Sequence, residues 1–335
     1  MNPSAETPFI FIGASAGGVY AMLDLVTALP AGFPAPIFFV QHIGSMRSHL
    51  PDLLNTRGPN RALTARDGDV PQPGTIYIAP SDHHMLLEGG VVRLSRGPKE
   101  HHARPAIDPL FRSAALDCGA RAVGVVLTGM LDDGTAGLRA IKDCGGIAVV
   151  QDPEDAYEPS MPRSALACVE VDHVVPLGGL GALLCQLAQP RARRLPVLPP
   201  MSWRREHALG AGDHNVENLM AIADPSTFTC PDCGGVLFEL KDKRPVRYRC
   251  HTGHAFSLRS LAHTQEQTTD AALWAALRTL QEKESILRHL ADLHQGSDAQ
   301  TTAQALREAD ELAIACSALR RLTEKSPSPE SFGAP

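Results

Sequence analysis

Between residues 9 and 188, short runs of β-branched and aromatic residues alternate with segments whose apolar positions recur at helical spacing. No other feature constrains the fold as strongly. Residues 9–12, 37–41, 75–79, 123–128 and 147–151 read as strands, and residues 17–28, 108–118, 134–143 and 178–187 as helices. Strands that are apolar throughout must be covered on both faces. That predicts an α/β fold with a doubly wound, mostly parallel sheet. Residues 85–95 read differently, because Glu88-Gly89-Gly90 between two apolar runs is a hairpin signal. The hairpin is expected as an antiparallel edge of the same sheet.

The remainder of the 335 residues divides by composition. Residues 1–8 form a short N-terminal tail, and residues 9–188 the first domain. Residues 189–202 hold Pro190, Pro196, Pro199 and Pro200 among three arginines, which predicts a stiff linker with a solvated face. Residues 203–260 are expected to form a small zinc-ribbon-like module. In residues 261–325, leucines at helical spacing before and after Gly296-Ser297 predict a helical hairpin whose apolar faces pack together or on the ribbon. Residues 326–335 read as a disordered tail.

Cys230 and Cys233 form one two-residue-spaced pair, and sixteen residues later the chain reads Cys250-His251-Thr252-Gly253-His254. Two such knuckles supply the four soft or borderline ligands that tetrahedral zinc takes. Cys230, Cys233, Cys250 and His254 are the expected ligands, with His251 as the alternate. A closed four-ligand site has no position for a reacting water, so the ion is expected to be structural. Of the other five cysteines, Cys118, Cys144, Cys168 and Cys185 lie singly in apolar segments, as small buried hydrophobes often do, and Cys316 sits alone in a late helix. That usage fits a reducing compartment.

The net charge of −6 gives no general attraction to nucleic acid or to anionic lipid. No apolar run reaches the ~18 residues of a membrane span, and the first residues lack the character of a signal peptide. The expectation is a cytoplasmic protein that neither inserts in membranes nor binds nucleic acid.

Catalytic residue types gather at the predicted strand ends. Gly13-Ala14-Ser15-Ala16-Gly17 follows the first strand and opens a helix, the context in which G-x-S-x-G exposes a nucleophilic serine. Ser15 stands where a dinucleotide fingerprint needs its second glycine, so cofactor binding is the weaker reading of this turn. His42 closes the second strand, and Asp132-Asp133 follow the strand at 123–128. The carboxyl edge of a doubly wound sheet would bring Ser15, His42 and one of the two aspartates onto one rim. That is the requirement for acyl transfer by a histidine-activated serine. By spacing alone Asp132 serves as well as Asp133, and either could simply cap the next helix.

The motifs Ile12-Gly-Ala-Ser-Ala-Gly-Gly, Val40-Gln-His, Tyr77-Ile-Ala-Pro, Arg104-Pro-Ala-Ile-Asp-Pro-Leu-Phe, Leu127-Thr-Gly-Met-Leu-Asp-Asp-Gly and Met161-Pro-Arg-Ser-Ala occur in that order. Together they resemble the catalytic domain of the chemotaxis-receptor methylesterases, the CheB family. The resemblance implies Ser15 as nucleophile, His42 as general base and Asp133 as the acid that orients His42. It implies hydrolysis of glutamyl methyl esters on methyl-accepting receptors, with deamidation of receptor glutamines as a second activity and no catalytic cofactor. The backbone N–H groups of Met130 and Ala16 are the oxyanion donors under this reading. Ala16 stands where the family often has threonine. Arg104 would either grip an acidic receptor surface or form a structural ion pair. Eight residues before the first strand leave no room for the phosphoacceptor receiver domain of the best-known members, so phosphorylation control is not expected. The tail resembles extensions found on some stand-alone esterases, and a signalling partner is expected for it. Two other functions fit the residues less well: a non-catalytic adaptor built on the esterase fold, and the same esterase acting on a receptor outside chemotaxis.

Overall fold

The computed structural model describes residues 5–42, 48–192, 197–213, 215–294 and 298–324. The expected Gly296-Ser297 turn, the tail at 326–335 and part of the linker, residues 193–196, lie outside the described residues. The chain forms two compact units, Met1–Ser260 and Leu261–Pro335.

The first unit is built on seven parallel strands. In chain order these are β1 (Phe9–Ala14), β2 (Ile37–Gln41), β3 (Arg61–Thr64), β4 (Thr75–Ile78), then, past the hairpin β5 (His84–Glu88) and β6 (Val91–Ser95), β7 (Ala122–Val126), β8 (Ile147–Gln151) and β9 (His173–Val175). Their order across the sheet is β9-β8-β7-β1-β2-β4-β3, and every neighbouring pair is parallel. Helices α1 (Gly18–Thr27), α2 (Leu50–Arg57), α3 (Ile107–Cys118), α4 (Thr135–Asp143), α5 (Ser160–Cys168) and α6 (Leu177–Leu187) connect and cover it.

Side chains along a strand alternate faces, and the two cores follow that alternation. Ile10 and Ile12 of β1 join Phe39, Val125, Met22, Leu25 and Leu184 on one side. Phe11 joins Phe38, Val40, Val126, Leu110 and Phe111 on the other. Both faces are therefore apolar, which is why the strands read as unbroken hydrophobic runs. The chain leaves β1 for β2 on one side and returns to β7 on the other. The sheet's topological switch point thus lies between β1 and β7, where ligand chemistry collects in such folds.

The hairpin forms, but as a two-stranded sheet of its own rather than as an edge of the parallel sheet. Met85, Leu87 and Val92 bury against Leu110, Ala114 and their neighbours. The Leu87 N–H donates to Ser113 Oγ of α3. The apolar face of the hairpin packs on α3, so the hairpin covers that helix instead of lying beside β3 or β9, the outer strands of the sheet.

After the linker region come α7 (Met201–Gly210) and α8 (Val216–Ile222), so the segment expected to be ribbon throughout begins with two helices. The ribbon itself is a four-stranded antiparallel meander, β10 (Ala223–Thr229), β11 (Val236–Lys243), β12 (Val246–Cys250) and β13 (Ala255–Ser257). It does not stand apart from the α/β part. Arg112 of α3 and Arg249 of β12 both bond to Glu100, at 2.6 and 2.9 Å, and Arg249 and Arg247 also reach Glu206 of α7. All five side chains are buried. Trp203 of α7 stacks under Arg247 and donates to Asp143 of α4 at 2.9 Å. Buried charges require their partners, so this network ties the ribbon and the α/β sheet into one body.

The second unit holds most of α9 (Leu258–His294) and all of α10 (Ala299–Thr323). Lys283–Glu308 and Arg288–Asp310 ion pairs join the two helices, as the expected helical hairpin requires. Among the described residues, no helix is long and apolar enough to cross a membrane.

Candidate active site and metal centre

The rim is assembled by the parallel ladder. Ser15 N–H donates to Thr128 O at 3.0 Å and Leu127 N–H to Gly13 O at 2.9 Å, locking the ends of β1 and β7 together. His42 N–H donates to Ala14 O at 3.3 Å, so the end of β2 lies on the other side of β1. Gly129 shows how close the approach is, because a Cβ there would come within 2.8 Å of Ser15 Cβ and 2.1 Å of Met161 Sδ. Only glycine fits. At Gly17 the backbone is left-handed, with φ 78°, which turns the chain from the serine into α1.

His42 Nε2 lies 2.7 Å from Asp133 Oδ2. The imidazole is partly exposed and the carboxylate is buried. With Nε2 committed to the carboxylate, Nδ1 is the ring nitrogen left to accept a proton.

Asp133 is held by more than His42. The Ile107, Asp108 and Gly134 N–H groups donate to it at 2.7, 3.0 and 2.8 Å. Two of those donors open α3, so Asp133 satisfies the free N–H groups of that helix rather than capping the helix that follows it. Burial raises the carboxyl's pKa, but His101, His42 and the Ile107 N–H outweigh it and hold the group at about 2. Asp132, also buried, instead accepts from Ser257 Oγ of the ribbon. Desolvation pushes its carboxyl up, with His101 and Ser257 opposing.

The Ala16 and Met130 backbone N–H groups make no hydrogen bond among the described residues. Thr128 Oγ1 donates to Ala16 O at 2.8 Å and accepts from Glu158 N–H at 2.8 Å, linking the turn that carries Ala16 to the one that carries Met130. Arg104 is committed elsewhere. Its Nε donates to Asp82 at 2.9 Å and its Nη1 to Gly97 O at 2.7 Å, the ion pair that was one of its two readings.

Three supporting residues carried no role in the sequence reading. Gln41 Nε2 donates to Ser15 O at 2.7 Å and to His42 O at 3.2 Å, clamping the serine and histidine turns to each other. A polar residue ending an otherwise apolar strand, beside the histidine, was the available signal. His101 and Asp108 lie against Asp133 from the far side of His42's contact, with His101 Nε2 at 3.0 Å from Asp108 Oδ2 and 3.7 Å from Asp133 Oδ1. Nothing in their spacing pointed to this.

The ribbon brings the four expected ligands together. One ligand atom from each of Cys230, Cys233, Cys250 and His254 lies within 4.8 Å of the others. Cys233 and Cys250 sulfurs are 3.7 Å apart, and Cys250 Sγ is 3.6 Å from His254 Nδ1. A tetrahedral ion with Zn–S bonds of about 2.3 Å spaces its sulfurs at roughly 3.7–3.8 Å, so the donor set fits zinc. The knuckles are shaped by their own backbone, with Gly234 N–H donating to Cys230 O at 2.8 Å and Gly253 N–H to Cys250 O at 3.0 Å. His251, the alternate, is exposed and outside the cluster.

Residues 10–184 match the family described as CheB methylesterase. The protein-glutamate methylesterase/protein-glutamine glutaminase 2 of Anaeromyxobacter dehalogenans is 40% identical over 187 residues, 56% of this chain and 55% of that protein. The protein-glutamate methylesterase FrzG of Myxococcus xanthus is 38% identical over 187 residues, 55% of this chain and 56% of that protein. The chain thus spans little more than half the length of these curated relatives. The crystal structure of the Thermotoga maritima CheB methylesterase catalytic domain aligns with 54% of this chain and 99% of its own length, at 33% identity and a TM-score of 0.52. With the parallel sheet, the serine turn and the histidine–aspartate pair in the matched segment, the chain belongs to the CheB methylesterase family.

Proposed function

We propose that this chain is a protein-glutamate methylesterase that hydrolyses glutamyl methyl esters on methyl-accepting receptors in the cytoplasm, with deamidation of receptor glutamines as a second activity. The observation that carries this reading is the His42–Asp133 hydrogen bond at the strand edge that also presents Ser15. Ser15 Oγ attacks the ester carbonyl while His42 Nδ1 takes its proton. Asp133 keeps the other ring proton on Nε2 and stabilises the imidazolium that forms. The N–H groups of Ala16 and Met130 receive the oxyanion. His42 then protonates the leaving methoxide, methanol departs, and water repeats the sequence on the acyl-serine to free the glutamate. For an amide substrate the leaving group is ammonia.

Cys230, Cys233, Cys250 and His254 hold a structural zinc under this proposal. Bound there, the ion cross-links the two knuckles of a sheet too small for a core of its own. A signalling partner for the residues beyond the esterase part belongs to the same reading.

The test is methanol release from methylated receptor membranes by the full chain and by Ser15→Ala. The variant should lose at least ~10³-fold in turnover. Equal rates would sink the serine mechanism.

A further inference from the structure

Among the described residues, His101 is the histidine whose ring lies against Asp133 on the side away from His42, and the ribbon dictates where it sits. Its side chain is 6% exposed. Nε2 faces Asp108 Oδ2 at 3.0 Å and Asp133 Oδ1 at 3.7 Å, while Nδ1 lies 3.1 Å from Ser260 Oγ. Ser260 Oγ has Ser257 O at 3.2 Å as an acceptor for its own proton, which leaves it able to accept from Nδ1. Nε2 thus faces carboxylate oxygen and Nδ1 a hydroxyl oxygen, surroundings that accommodate a doubly protonated imidazolium.

The segment carrying the ring is held in an unfavourable conformation. His101 and His102 have φ of 53° and 59°, consecutive left-handed residues, a conformation that side-chain-bearing residues disfavour. The ribbon holds them there. His101 N–H donates to Ala255 O at 2.8 Å, Ala255 N–H donates to Lys99 O at 3.2 Å, and His102 Nδ1 pairs with Asp232 of the first knuckle at 2.8 Å. His102 also packs edge-on against Phe256.

We propose that His101 is a positioning residue of the esterase site: a buried cation, set by the ribbon through Ala255 and by the start of α9 through Ser260, that fixes Asp133 as an ionised carboxylate turned toward His42. This rests on the methylesterase reading above for its kinetic consequence, though not for the electrostatic one. The charged groups around the ring are Asp108 from α3 and Asp132 and Asp133 from the loop after β7, with Arg259 acting on Asp132. Burial works against the ring's charge, but Asp133, Asp108 and Asp132 outweigh it and push the imidazole up to about 10. Without that cation, three buried carboxyl groups crowd one site and at least one must take up a proton. Whether the proton goes to Asp133 or the full carboxylate charge falls on His42, a neutral base beside an ionised acid is reached only at higher pH.

The experiment compares full-length wild type with His101→Gln and Ser260→Ala, using both carboxyl-carbon NMR and methanol-release kinetics. The Asp133 carboxyl should titrate at higher pH in His101→Gln. kcat should fall about 10–100-fold with KM within about 3-fold, less than loss of the acid itself would cost. The acid limb of the pH–rate profile should move up, and Ser260→Ala should move it the same way by less. A purely structural role would change stability without moving the carboxyl titration or the limb. A folded His101→Gln with an unmoved Asp133 titration overturns the proposal. If His101→Gln fails to fold, an unchanged Asp133 titration in Ser260→Ala overturns it instead. A wild type that releases no methanol, with the Asp133 titration still shifted in the variant, would defeat the esterase reading and leave the positioning role standing.

Discussion

Asp132 and Asp133 are adjacent in the chain, and their carboxylates serve different partners. Asp133 accepts from His42 Nε2 at 2.7 Å and from the start of α3, whereas Asp132 accepts from Ser257 at the foot of α9. Ser257 and Ser260 cap that helix reciprocally, with Ser260 N–H on Ser257 Oγ at 3.0 Å and Ser257 N–H on Ser260 Oγ at 2.9 Å. One aspartate meets His42 and the other joins the seam with the ribbon.

That division predicts unequal asparagine variants. Asp133→Asn should lower kcat by about 10³–10⁴-fold, because an amide can present the wrong hydrogen-bonding group to His42 and misplace its proton. Asp132→Asn keeps an acceptor for Ser257 and should cost less than about 10-fold. Steady-state kinetics on both variants decides it, and the reverse ranking would show that the acids had been exchanged.

Metal and folding should be linked across the whole first unit. Purified, reduced protein is expected to hold about one zinc per chain, as one closed tetrahedral site requires. Cys233→Ser should lose the metal and lower the melting temperature of the α/β sheet as well as of the ribbon, since the buried arginine–glutamate network joins them. Metal analysis and hydrogen exchange in β1 and β7 would test this. A ribbon that opens while those strands keep full protection would show the two to be independent.

The same network predicts a large effect from one neutral replacement. Glu100 sits between Arg112 and Arg249 with its pKa well below the usual carboxylate range; desolvation opposes ionisation and the two guanidinium groups outweigh it. Glu100→Gln leaves both arginines buried beside an uncharged group and should cost about 3–5 kcal/mol in urea unfolding. A loss below about 1 kcal/mol would mean that water reaches the site.

His101 also predicts a pH dependence of stability. Its folded pKa, raised to about 10, lies above the ordinary histidine value, so its contribution is fully present below about 6.5 and fades as pH rises toward 10. Between those limits wild type should lose stability relative to His101→Gln. Parallel curves across that window in denaturant titrations would count against a charged ring.

The α/β alternation was legible because each element is local. Observed β2 and β8 coincide with the sequence reading, and α1, α3, α4 and α6 start within one residue of it. Short polar or mixed elements escaped: β3, with its burial pattern running from exposed to buried and back, carries too few apolar positions to register as a strand. The hairpin was legible as a hairpin, but its placement depended on what Met85, Leu87 and Val92 would cover.

The sequence by itself determined the alternation of strands and helices, the serine turn and the spacing of the cysteine–histidine cluster. The turn after an apolar strand and the cysteine spacing are consequences of a few covalent bonds and one backbone period. Which aspartate meets His42, where Arg104 spends its charge and how the ribbon seats on α3 and α4 were decided only by the folded chain. Those outcomes depend on partners far apart in sequence, Asp82 for Arg104, Glu100 for Arg249 and Ser260 for His101. Buried polar groups must find partners wherever the fold supplies them, and that demand has no local signature in a sequence.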